Sequence, residues 1–472
     1  MEPSILERSK HPISRRDIDP NVLKVLYRLI AAEHTAYLVG GSVRDLMMGR
    51  RPKDFDVATS AHPQQVRDTF RNSRMIGRRF RLVHVFFSAQ NIEVATFRRP
   101  SDEPLDGGDP MIRQDNTFGT PEEDAFRRDF TVNSLFYDPR TFQVIDYTGG
   151  VADLEARLIR SIGDPDVRMR EDPVRMIRAV RFAAKLGFEI ESATASAIRR
   201  HCRDLVKAST PRMVEEIFRT IGTHGAARAL VLMEQLGLLE VLLEPLSAHL
   251  RGSIEAHEEF ERAPMVRHLA ALGEMIGLRG EQPRPMVLAC MFADLYLARA
   301  RESDPERRAV LIRDLQNRGF ARGECEQMRL LLDALMHMTA LTRHVRRIAR
   351  RPYYNEARRL LEFVAPVNGV GVSELNRFLA ELNENGGIAR RRFGTAEGQN
   401  GGGRKRKRRR GGRRHRRRPL EGAAGVAPSV SATIANGPAM TDTARFEAQD
   451  ASPEAIEQAE ANKPGCVNGR ER

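Results

Sequence analysis

The chain has few cysteines and no long apolar segment. Its 472 residues include four cysteines, none of them in a CxxC pair: Cys202, Cys290, Cys325 and Cys466. Such sparse and scattered cysteines exclude a disulfide scaffold and a zinc ribbon, and they are typical of a reducing compartment. No uninterrupted apolar run approaches 18 residues, so we expect no membrane-spanning helix and no membrane partner.

The amino terminus lacks the features of a targeting segment. The opening residues, MEPSILERSKHPISRRD, contain no apolar stretch and include Glu2 and Glu7. Secretory signals need an apolar stretch, and transit peptides avoid acidic residues. We expect residues 1–20 to form a loose leader, and the protein to be soluble and cytoplasmic. A hydrophobic content of 41% excludes a wholly disordered chain.

The positive charge is concentrated near the C-terminus. Lys and Arg number 77, Asp and Glu number 63, and residues 404–418, RKRKRRRGGRRHRRR, contain 12 of the basic ones. The rest of the chain is almost neutral, with 65 basic residues against 63 acidic ones. A run of like charges has no apolar surface to bury, so we expect it to be disordered. It is typical of an arm that binds phosphate backbones; a solvating tail and a nuclear address are the alternatives.

The first 150 residues alternate between strand and helix patterns. Runs rich in Val and Phe predict strands at 36–40, 55–59, 81–87 and 92–98, and helical stretches lie between them at 42–48 and 63–71. Residues 99–121 carry Pro, Gly and Asp without periodicity and predict a long loop. Residues 121–136 predict a helix that begins at Pro-Glu-Glu. A strand and a turn, FQVIDYTGG, close this unit.

Beyond Val151 the pattern becomes almost entirely helical. Apolar residues recur at i, i+3 and i+4 as far as about Asn385, and Gly, Arg, Ala and Ser dominate afterwards. We predict an α+β head with a small mixed β-sheet flanked by helices, an all-helical neck and body, and a disordered basic tail. The predicted boundaries are leader 1–20, head 21–150, neck 151–215, body 216–389 and tail 390–472.

The motif LVGGSVRDLMMGRRPKDFDVAT at 38–59 has the residues for phosphate and metal chemistry. Gly40 and Gly41 separate a strand from a helix that starts near Ser42, and such a junction lets backbone amides approach an anion. Asp54 and Asp56 stand two apart in an apparent strand, which places both carboxylates on one face. Paired carboxylates suit Mg²⁺, and nucleotidyl transfer needs one ion at the attacking hydroxyl and one at the pyrophosphate. A surface turn is the alternative for the Asp-x-Asp alone.

Two further clusters contain paired charges at helical spacing. Arg127, Arg128, Asp129 and Asn133 fall within two predicted turns, where arginines suit triphosphate oxygens and Asp129 suits a metal or a ribose hydroxyl. In REDPVRMIRAVRFAAKLGF, Asp172, Arg175 and Arg178 are spaced to share a helix face, and a carboxylate beside a guanidinium can pair with a base edge. Ordinary surface ion pairs are the alternative for both clusters.

Four motifs in this order resemble the class II nucleotidyltransferases, the family of bacterial poly(A) polymerases and CCA-adding enzymes. They lie within residues 36–188: LVGGSVRDLMMGRRPKDFDVAT, RRDFTVNSLFYD, DYTGGVADL and REDPVRMIRAVRFAAKLGF. The resemblance implies that Asp54 and Asp56 hold catalytic Mg²⁺ or Mn²⁺ and that Asp129 belongs to the same active site. It also implies that Glu171, Asp172 and Arg175 read the incoming base.

The remaining nucleotide contacts follow from the same resemblance and from the residue types. The family's glycine turn and nearby arginines receive the triphosphate, and the candidate residues here are Gly40, Gly41, Ser42, Arg44, Arg127, Arg128, Asn133 and Arg178. Candidate RNA contacts in the basic run are Arg404, Lys405, Arg406, Lys407, Arg408, Arg409, Arg410, Arg413 and Arg414. These residues are expected to hold the RNA backbone without reading its sequence.

The segment MIGRRFRLVHVFF at 75–87 resembles the poly(A) polymerase branch, as do the opening HPISRRDIDPNVLKVLYRL and the basic tail. No HD phosphohydrolase signature occurs in 200–390. The sequence therefore favours a template-independent RNA adenylyltransferase that uses ATP and acts on RNA 3′ ends. RNA-degradation machinery is a candidate partner that the sequence itself does not indicate. A CCA-adding enzyme and a non-catalytic RNA-binding protein are the alternatives. The oligomeric state does not follow from the sequence.

Overall fold

The computed structural model describes residues 2–77, 82–88, 90–99, 117–257, 259–301 and 305–392. Its amino-terminal part is built on one mixed sheet of eight strands: β1 (Ser4–Leu6), β2 (Ala36–Val39), β3 (Asp56–Thr59), β4 (Ser73–Ile76), β5 (Leu82–Phe87), β6 (Gln90–Thr96), β7 (Phe136–Asp138) and β8 (Gln143–Asp146). The predicted α+β head with a mixed sheet is confirmed, and all five predicted strands are present.

The order of the strands brings separate motifs together at the centre of the sheet. Across the sheet the strands run β1-β8-β7-β2-β3-β6-β5-β4. Within it, β3 and β6 pair in parallel, and the other neighbouring strands pair antiparallel. The glycine turn follows β2, the aspartate motif leads into β3, and the segment after Arg127 leads into β7. These three segments therefore lie close together, because β7, β2 and β3 are neighbours in the sheet.

The expected loose leader is wrong, because residues 4–18 are part of the head. Strand β1 pairs with β8, with Ile5 opposite Ile145. Ile13 and Ile18 are only 1% and 2% exposed and belong to the main hydrophobic core. Charged residues surround these two isoleucines in the sequence. The segment therefore shows neither the helical nor the strand periodicity of apolar residues from which an ordered element could be predicted.

The structure is otherwise helical, as predicted for the region beyond Val151. The helices of the head and of the segment that follows it are α1 (Pro20–Ala31), α2 (Gly41–Met47), α3 (Pro63–Thr69), α4 (Pro121–Phe126), α5 (Gly150–Glu155), α6 (Pro165–Glu171), α7 (Val174–Leu186), α8 (Ser192–His201) and α9 (Thr210–Ile221). Those of the body are α10 (Ala226–Gln235), α11 (Leu238–His257), α12 (Pro264–Arg279), α13 (Arg284–Arg301), α14 (Pro305–Asn317), α15 (Arg322–Thr339), α16 (Val345–Ile348), α17 (Tyr354–Asn368) and α18 (Val372–Arg392). Two short strands, β9 (Leu158–Ile159) and β10 (Glu189–Ile190), form a separate parallel pair.

The predicted helix over 121–136 is wrong beyond Phe126. There α4 ends, and the chain continues through a 3-10 turn at Thr131–Asn133 into β7. Apart from the 3-10 turn, the backbone of this stretch pairs with a neighbouring segment, since Thr131 donates to the Arg160 carbonyl and Ile162 donates to that of Asp129. Tertiary hydrogen bonds therefore override a helix-like apolar spacing.

Two predicted segments lie outside the described residues. They are most of the predicted loop at 99–121 and the basic run at 404–418 with its candidate RNA contacts. Within the described part of the chain, no helix combines the length and apolar character needed to cross a bilayer. Cys290 and Cys325, both 0% exposed, are core residues.

Candidate active site

The glycine turn after β2 places a tight backbone next to an arginine. Gly40 has φ +72°, ψ −133°, a conformation that L side chains rarely adopt, and it caps α2. A Cβ at this position would lie 3.0 Å from Nη1 of Arg128. Gly40 is therefore required both for its backbone conformation and for the close approach of this guanidinium.

The side chains of Ser42 and Arg44 face the interior. Ser42 Oγ donates to the Val39 carbonyl (2.9 Å), and Arg44 donates to Asn133 Oδ1 (2.5 Å) and to Asp45 Oδ1 (2.7 Å). Both residues are only 3% exposed. Ser42 ties the start of α2 to the end of β2, and Arg44 joins α2 to the segment after α4, so both support the glycine turn. Their contact with a nucleotide remains a prediction.

The paired aspartates lie at the entrance to β3. Asp54 lies in a bend before the strand, so the prediction that both residues belong to one strand is wrong; β3 begins at Asp56. The parallel partner of Asp56 in β6 is Glu93. The three acidic side chains and the Arg128 guanidinium interact electrostatically at this edge.

The environment of Asp56 disfavours its negative charge. Its side chain is accessible to solvent, yet the surrounding protein displaces enough water to raise the pKa, and the charge of Glu93 adds to the rise. Arg128 opposes this effect, Asp54 supports it, and the pKa reaches about 6. The Asp56 carboxylate is accessible and has two acidic neighbours against one arginine, so it is suited to binding a cation.

The donor chemistry at this edge fits a magnesium ion. Among the described residues, no group of three or more His, Cys, Asp or Glu side chains is arranged to hold a metal. However, proteins commonly bind Mg²⁺ through one or two carboxylates, with phosphate oxygens and waters completing the shell. Asp54 and Asp56 supply such a pair next to the glycine turn, so the predicted metal ligands remain consistent with the structure and remain a prediction.

The two adjacent arginines after α4 are held by one buried carboxylate. Asp124, 3% exposed, accepts hydrogen bonds from Arg127 Nε (3.0 Å) and from Arg128 Nη2 (2.8 Å). Burial alone would raise the pKa of Asp124, but Arg128 and Arg127 outweigh it and hold the pKa below its ordinary value. Arg128 also donates to the Asn133 carbonyl (3.3 Å). This anchoring holds the Arg128 guanidinium beside Gly40, where it also interacts electrostatically with Asp56.

Asp129 points towards the neck and not towards the paired aspartates. Its Oδ2 accepts from Arg178 Nε (2.8 Å) and Nη2 (2.5 Å) on α7. Its Oδ1 accepts from the Phe130 amide (2.9 Å) and from Asn133 Nδ2 (3.3 Å). Both oxygens are therefore engaged in joining the head to α7, and the proposed catalytic role of Asp129 remains a prediction.

The predicted face shared by Asp172 and Arg175 does not exist. Helix α6 ends at Glu171, and Asp172 is its C-terminal cap in an extended conformation (φ −144°, ψ 93°). Pro173 follows, and the residue before a proline is driven away from helical geometry. Arg175, in the first turn of α7, donates to Glu171 Oε2 (3.0 Å), while Asp172 Oδ2 accepts from Arg212 of α9 (2.6 Å). The Asp172 side chain therefore pairs with a residue of another helix, α9, and not with Arg175.

Three functional-site residues escaped the sequence analysis. Glu93 is brought to Asp56 only by the parallel pairing of β3 with β6. Asp124 precedes Arg127 and Arg128 by three and four residues, a spacing that could have revealed it. Arg168 of α6 donates to the carbonyls of Arg127 (2.8 Å) and Arg128, which fixes the backbone beneath both guanidinium groups.

Two segments of the chain match the models of known protein families. Residues 36–160 match the family model described as the poly A polymerase head domain. Residues 187–250 match the model described as the probable RNA and SrmB-binding site of polymerase A. Over these two segments the chain is similar to the poly(A) polymerases, and its relatives include CCA-adding nucleotidyltransferases.

Both branches of the nucleotidyltransferase family occur among the relatives. Poly(A) polymerase I of Salmonella typhi is 53% identical over 225 residues, which is 46% of this chain and 48% of the relative. A CCA-adding enzyme of Lactobacillus helveticus is 40% identical over 211 residues, which is 44% of this chain and 51% of the relative. The chain therefore spans about half the length of each of these curated relatives.

The fold of the chain resembles a solved structure over most of its length. The structure of the Bacillus stearothermophilus CCA-adding enzyme in complex with CTP aligns with a TM-score of 0.58 and 27% identity. The alignment covers 79% of this chain and 83% of that one. The likeness therefore includes helices beyond the head and supports the predicted nucleotidyltransferase architecture.

Proposed function

We propose that this nucleotidyltransferase is a template-independent RNA adenylyltransferase that extends RNA 3′ ends with AMP from ATP. The observation that carries the proposal is the 53% identity to a poly(A) polymerase I, compared with 40% to a CCA-adding enzyme over a stretch of similar length. The site supports it, because a glycine turn, carboxylates and an anchored arginine converge at one edge of the sheet.

In the proposed reaction the RNA 3′-hydroxyl attacks the α-phosphate of ATP in line. A phosphodiester bond forms, the bond between the α- and β-phosphates breaks, and pyrophosphate leaves while the hydroxyl proton passes to solvent. Arg128, held by Asp124, lies next to the glycine turn and provides positive charge for the triphosphate. Arg127, anchored to the same carboxylate, is a second candidate donor.

A divalent ion is expected to take part in this reaction. Asp54 and Asp56 would hold Mg²⁺ or Mn²⁺, with Glu93 as a further acidic side chain at the same edge. When bound, such ions neutralise charge at the attacking hydroxyl and at the leaving pyrophosphate, as in other two-metal enzymes. Without them, the three carboxylates would repel the triphosphate. We therefore expect a chelator to abolish nucleotide addition.

The adenine base of ATP is expected to bind at the junction of α6 and α7. Asp172 is 24% exposed at its side chain and accepts from Arg212, so its carboxylate has a fixed orientation. Glu171 orients Arg175 through a 3.0 Å ion pair. These residues can present an acceptor and donors to a base edge from a rigid helix junction, although they do not lie on one helix face.

The RNA product is expected to bind through basic surfaces, which include residues 404–418. We propose that such binding permits repeated additions and connects the enzyme to mRNA processing and decay, with RNA-degradation machinery as a partner. Deletion of residues 400–472 should weaken RNA binding and reduce its salt dependence, whereas addition of the first nucleotide should persist. An unchanged salt dependence would remove the tail from the mechanism.

The proposal is tested by product length and nucleotide choice. The full-length protein is incubated with Mg²⁺, a 5′-labelled unstructured oligoribonucleotide and each nucleoside triphosphate in turn. A long ladder with ATP and little addition with CTP would support an adenylyltransferase. RNA binding without any magnesium-dependent release of pyrophosphate would contradict it and would indicate a non-catalytic RNA-binding protein.

A CCA-adding activity is the second candidate, since a CCA-adding enzyme is 40% identical and another shares the fold. This activity predicts that a tRNA without its CCA end receives three nucleotides from CTP and ATP and that addition then stops. The same tRNA offered to an adenylyltransferase would gain a tail of variable length from ATP alone. The two products are resolved on one sequencing gel.

A further inference from the structure

A second concentration of arginines lies in the helical body, outside the motifs described above. Residues 343–359, RHVRRIARRPYYNEARR, contain seven arginines and a single acidic residue. All seven arginines are exposed. We call them the arginine face: Arg343, Arg346, Arg347, Arg350, Arg351, Arg358 and Arg359.

Helix periodicity explains why the four arginines within α16 and α17 point outward. In α16, Val345 and Ile348 are buried, and in the first turns of α17, Ala357 and Leu360 are buried as well. Arg346 and Arg347 occupy the other positions of α16, and Arg358 and Arg359 those of the second turn of α17. The core contacts of α16 and α17 therefore hold these four guanidinium groups on the solvent side. The remaining arginines lie outside the helices: Arg343 precedes α16, and Arg350 and Arg351 lie in the connection at 349–353.

The charge of the arginine face is not neutralised by the described part of the chain. None of its arginines forms an ion pair with a carboxylate among the described residues, and Glu356 accepts a hydrogen bond from Gln327 (3.0 Å). Some exposed arginines elsewhere in the helical region are paired, since Arg212 pairs with Asp172 and Arg219 with Glu215. Unpaired like charges repel one another, and a bound polyanion removes that repulsion.

The composition of the face favours a phosphate backbone over a lipid surface. Residues 343–359 contribute no exposed large hydrophobic side chain, whereas helices that lie on membranes insert an apolar face. Guanidinium groups bind phosphate oxygens in a bidentate manner. Tyr353 and Tyr354 are half-buried between the two groups of arginines, and aromatic rings beside a basic track stack on RNA bases.

We propose that the arginine face binds the phosphate backbone of single-stranded RNA upstream of the growing 3′ end. This inference rests on the proposed function, which supplies the RNA substrate. It adds a binding surface separate from the matched segment at 187–250 and from the basic run at 404–418. An RNA that contacts both the arginine face and the active site must be longer than one that contacts the active site alone. A long RNA and a very short primer can therefore separate the two sites.

The test compares two triple variants of the full-length protein. The first carries Arg346→Gln, Arg347→Gln and Arg350→Gln. The control carries Arg279→Gln, Arg313→Gln and Arg322→Gln, which removes the same charge from other exposed positions of the body. Binding of a labelled 20-nucleotide RNA is measured by fluorescence anisotropy over a range of salt concentrations, and AMP addition is measured on a trinucleotide primer.

The first variant should bind the 20-nucleotide RNA roughly tenfold more weakly, with a salt slope reduced by about 2, because three phosphate contacts are lost. AMP addition to the trinucleotide should be unchanged. An unchanged slope, or an equal loss in the control, would overturn the proposal. If the wild-type protein adds no AMP but the first variant still loses RNA affinity, the proposed function fails while the RNA surface stands. Arg358→Gln with Arg359→Gln should reproduce the loss of affinity in a second helix.

Discussion

Arg178 of α7 and Asp129 of the head form a close ion pair, with Nη2 2.5 Å from Oδ2. The pair connects a helix of the neck to the segment that carries both anchored arginines. Burial alone would raise the pKa of Asp129, but Arg178 outweighs it and keeps the pKa below its ordinary value. Glu216 of α9 lies 4.0 Å from Arg178 and 2.5 Å from Arg181. The head and the helical region therefore share one charge network.

Loss of Arg178 should destabilise the protein more than loss of a surface arginine. Arg178→Gln leaves the Asp129 carboxylate, 10% exposed at its side chain, without its cation, which costs about 3 kcal/mol for a buried pair. The control Arg219→Gln breaks an exposed pair and should cost less than about 1 kcal/mol. Urea denaturation measures both free energies of unfolding. Equal effects would show that the pair does not hold the head to α7.

The same pair has a defined pH dependence. Because the folded pKa of Asp129 is lowered, its stabilisation is present above the ordinary aspartate pKa and is lost as the pH falls through the folded value. In Arg178→Gln this contribution should be smaller, so the difference in unfolding free energy between the two proteins should narrow below about pH 4. A constant difference from pH 7 to pH 3 would contradict the assignment.

Gly40 should be intolerant of substitution for a reason that Gly49 lacks. Both have positive φ, +72° and +66°, but a Cβ at Gly40 meets Arg128 at 3.0 Å, whereas one at Gly49 meets nothing within 4 Å. Gly40→Ala should therefore displace the guanidinium and lower kcat/KM for ATP at least tenfold. Gly49→Ala should cost about 1 kcal/mol of stability and leave AMP addition intact. Similar activity in the two variants would show that the contact with Arg128 is unimportant.

Asp56 should be essential for chemistry and dispensable for RNA binding. Asp56→Asn removes a carboxylate from the edge shared with Asp54 and Glu93, and AMP addition should fall by more than about a thousandfold. The control Asp68→Asn changes an exposed aspartate of α3 and should have no effect. Steady-state addition assays and anisotropy with the 20-nucleotide RNA separate the two functions. Residual addition near the wild-type rate would refute the role of Asp56.

The local sequence pattern predicted the helices and strands of this fold better than the points at which they end or pair. The glycine turn at Gly40 and the strand at Asp56 follow from backbone preference and from apolar runs, and both are confirmed. The break at Asp172 was missed, although Pro173 marks it, because apolar periodicity continues on both sides. Glu93 was out of reach, since only the non-local pairing of β3 with β6 brings it to the site.

A buried histidine of the body should contribute to acid sensitivity. His268 of α12 is 0% exposed, and neither ring nitrogen has a hydrogen-bond partner among the described residues. Burial lowers its pKa to about 4, with Asp294 opposing the shift and Arg267 supporting it. The unfolded chain therefore takes up a proton near pH 6.5 that the folded chain resists, so stability falls as the pH decreases from about 6.5 to about 4.

Replacement of His268 by leucine should remove this dependence. The wild-type protein should lose about 3 kcal/mol from this group over that pH range, whereas His268→Leu should lose correspondingly less. At pH 7 the variant should be at least as stable as the wild type, because an unpaired polar ring is replaced by an apolar side chain. His224→Gln, which changes an exposed histidine, is the control and should retain the wild-type profile. Urea denaturation at half-unit pH intervals measures all three proteins, and a His268→Leu profile parallel to that of the wild type would show that His268 is not the titrating group.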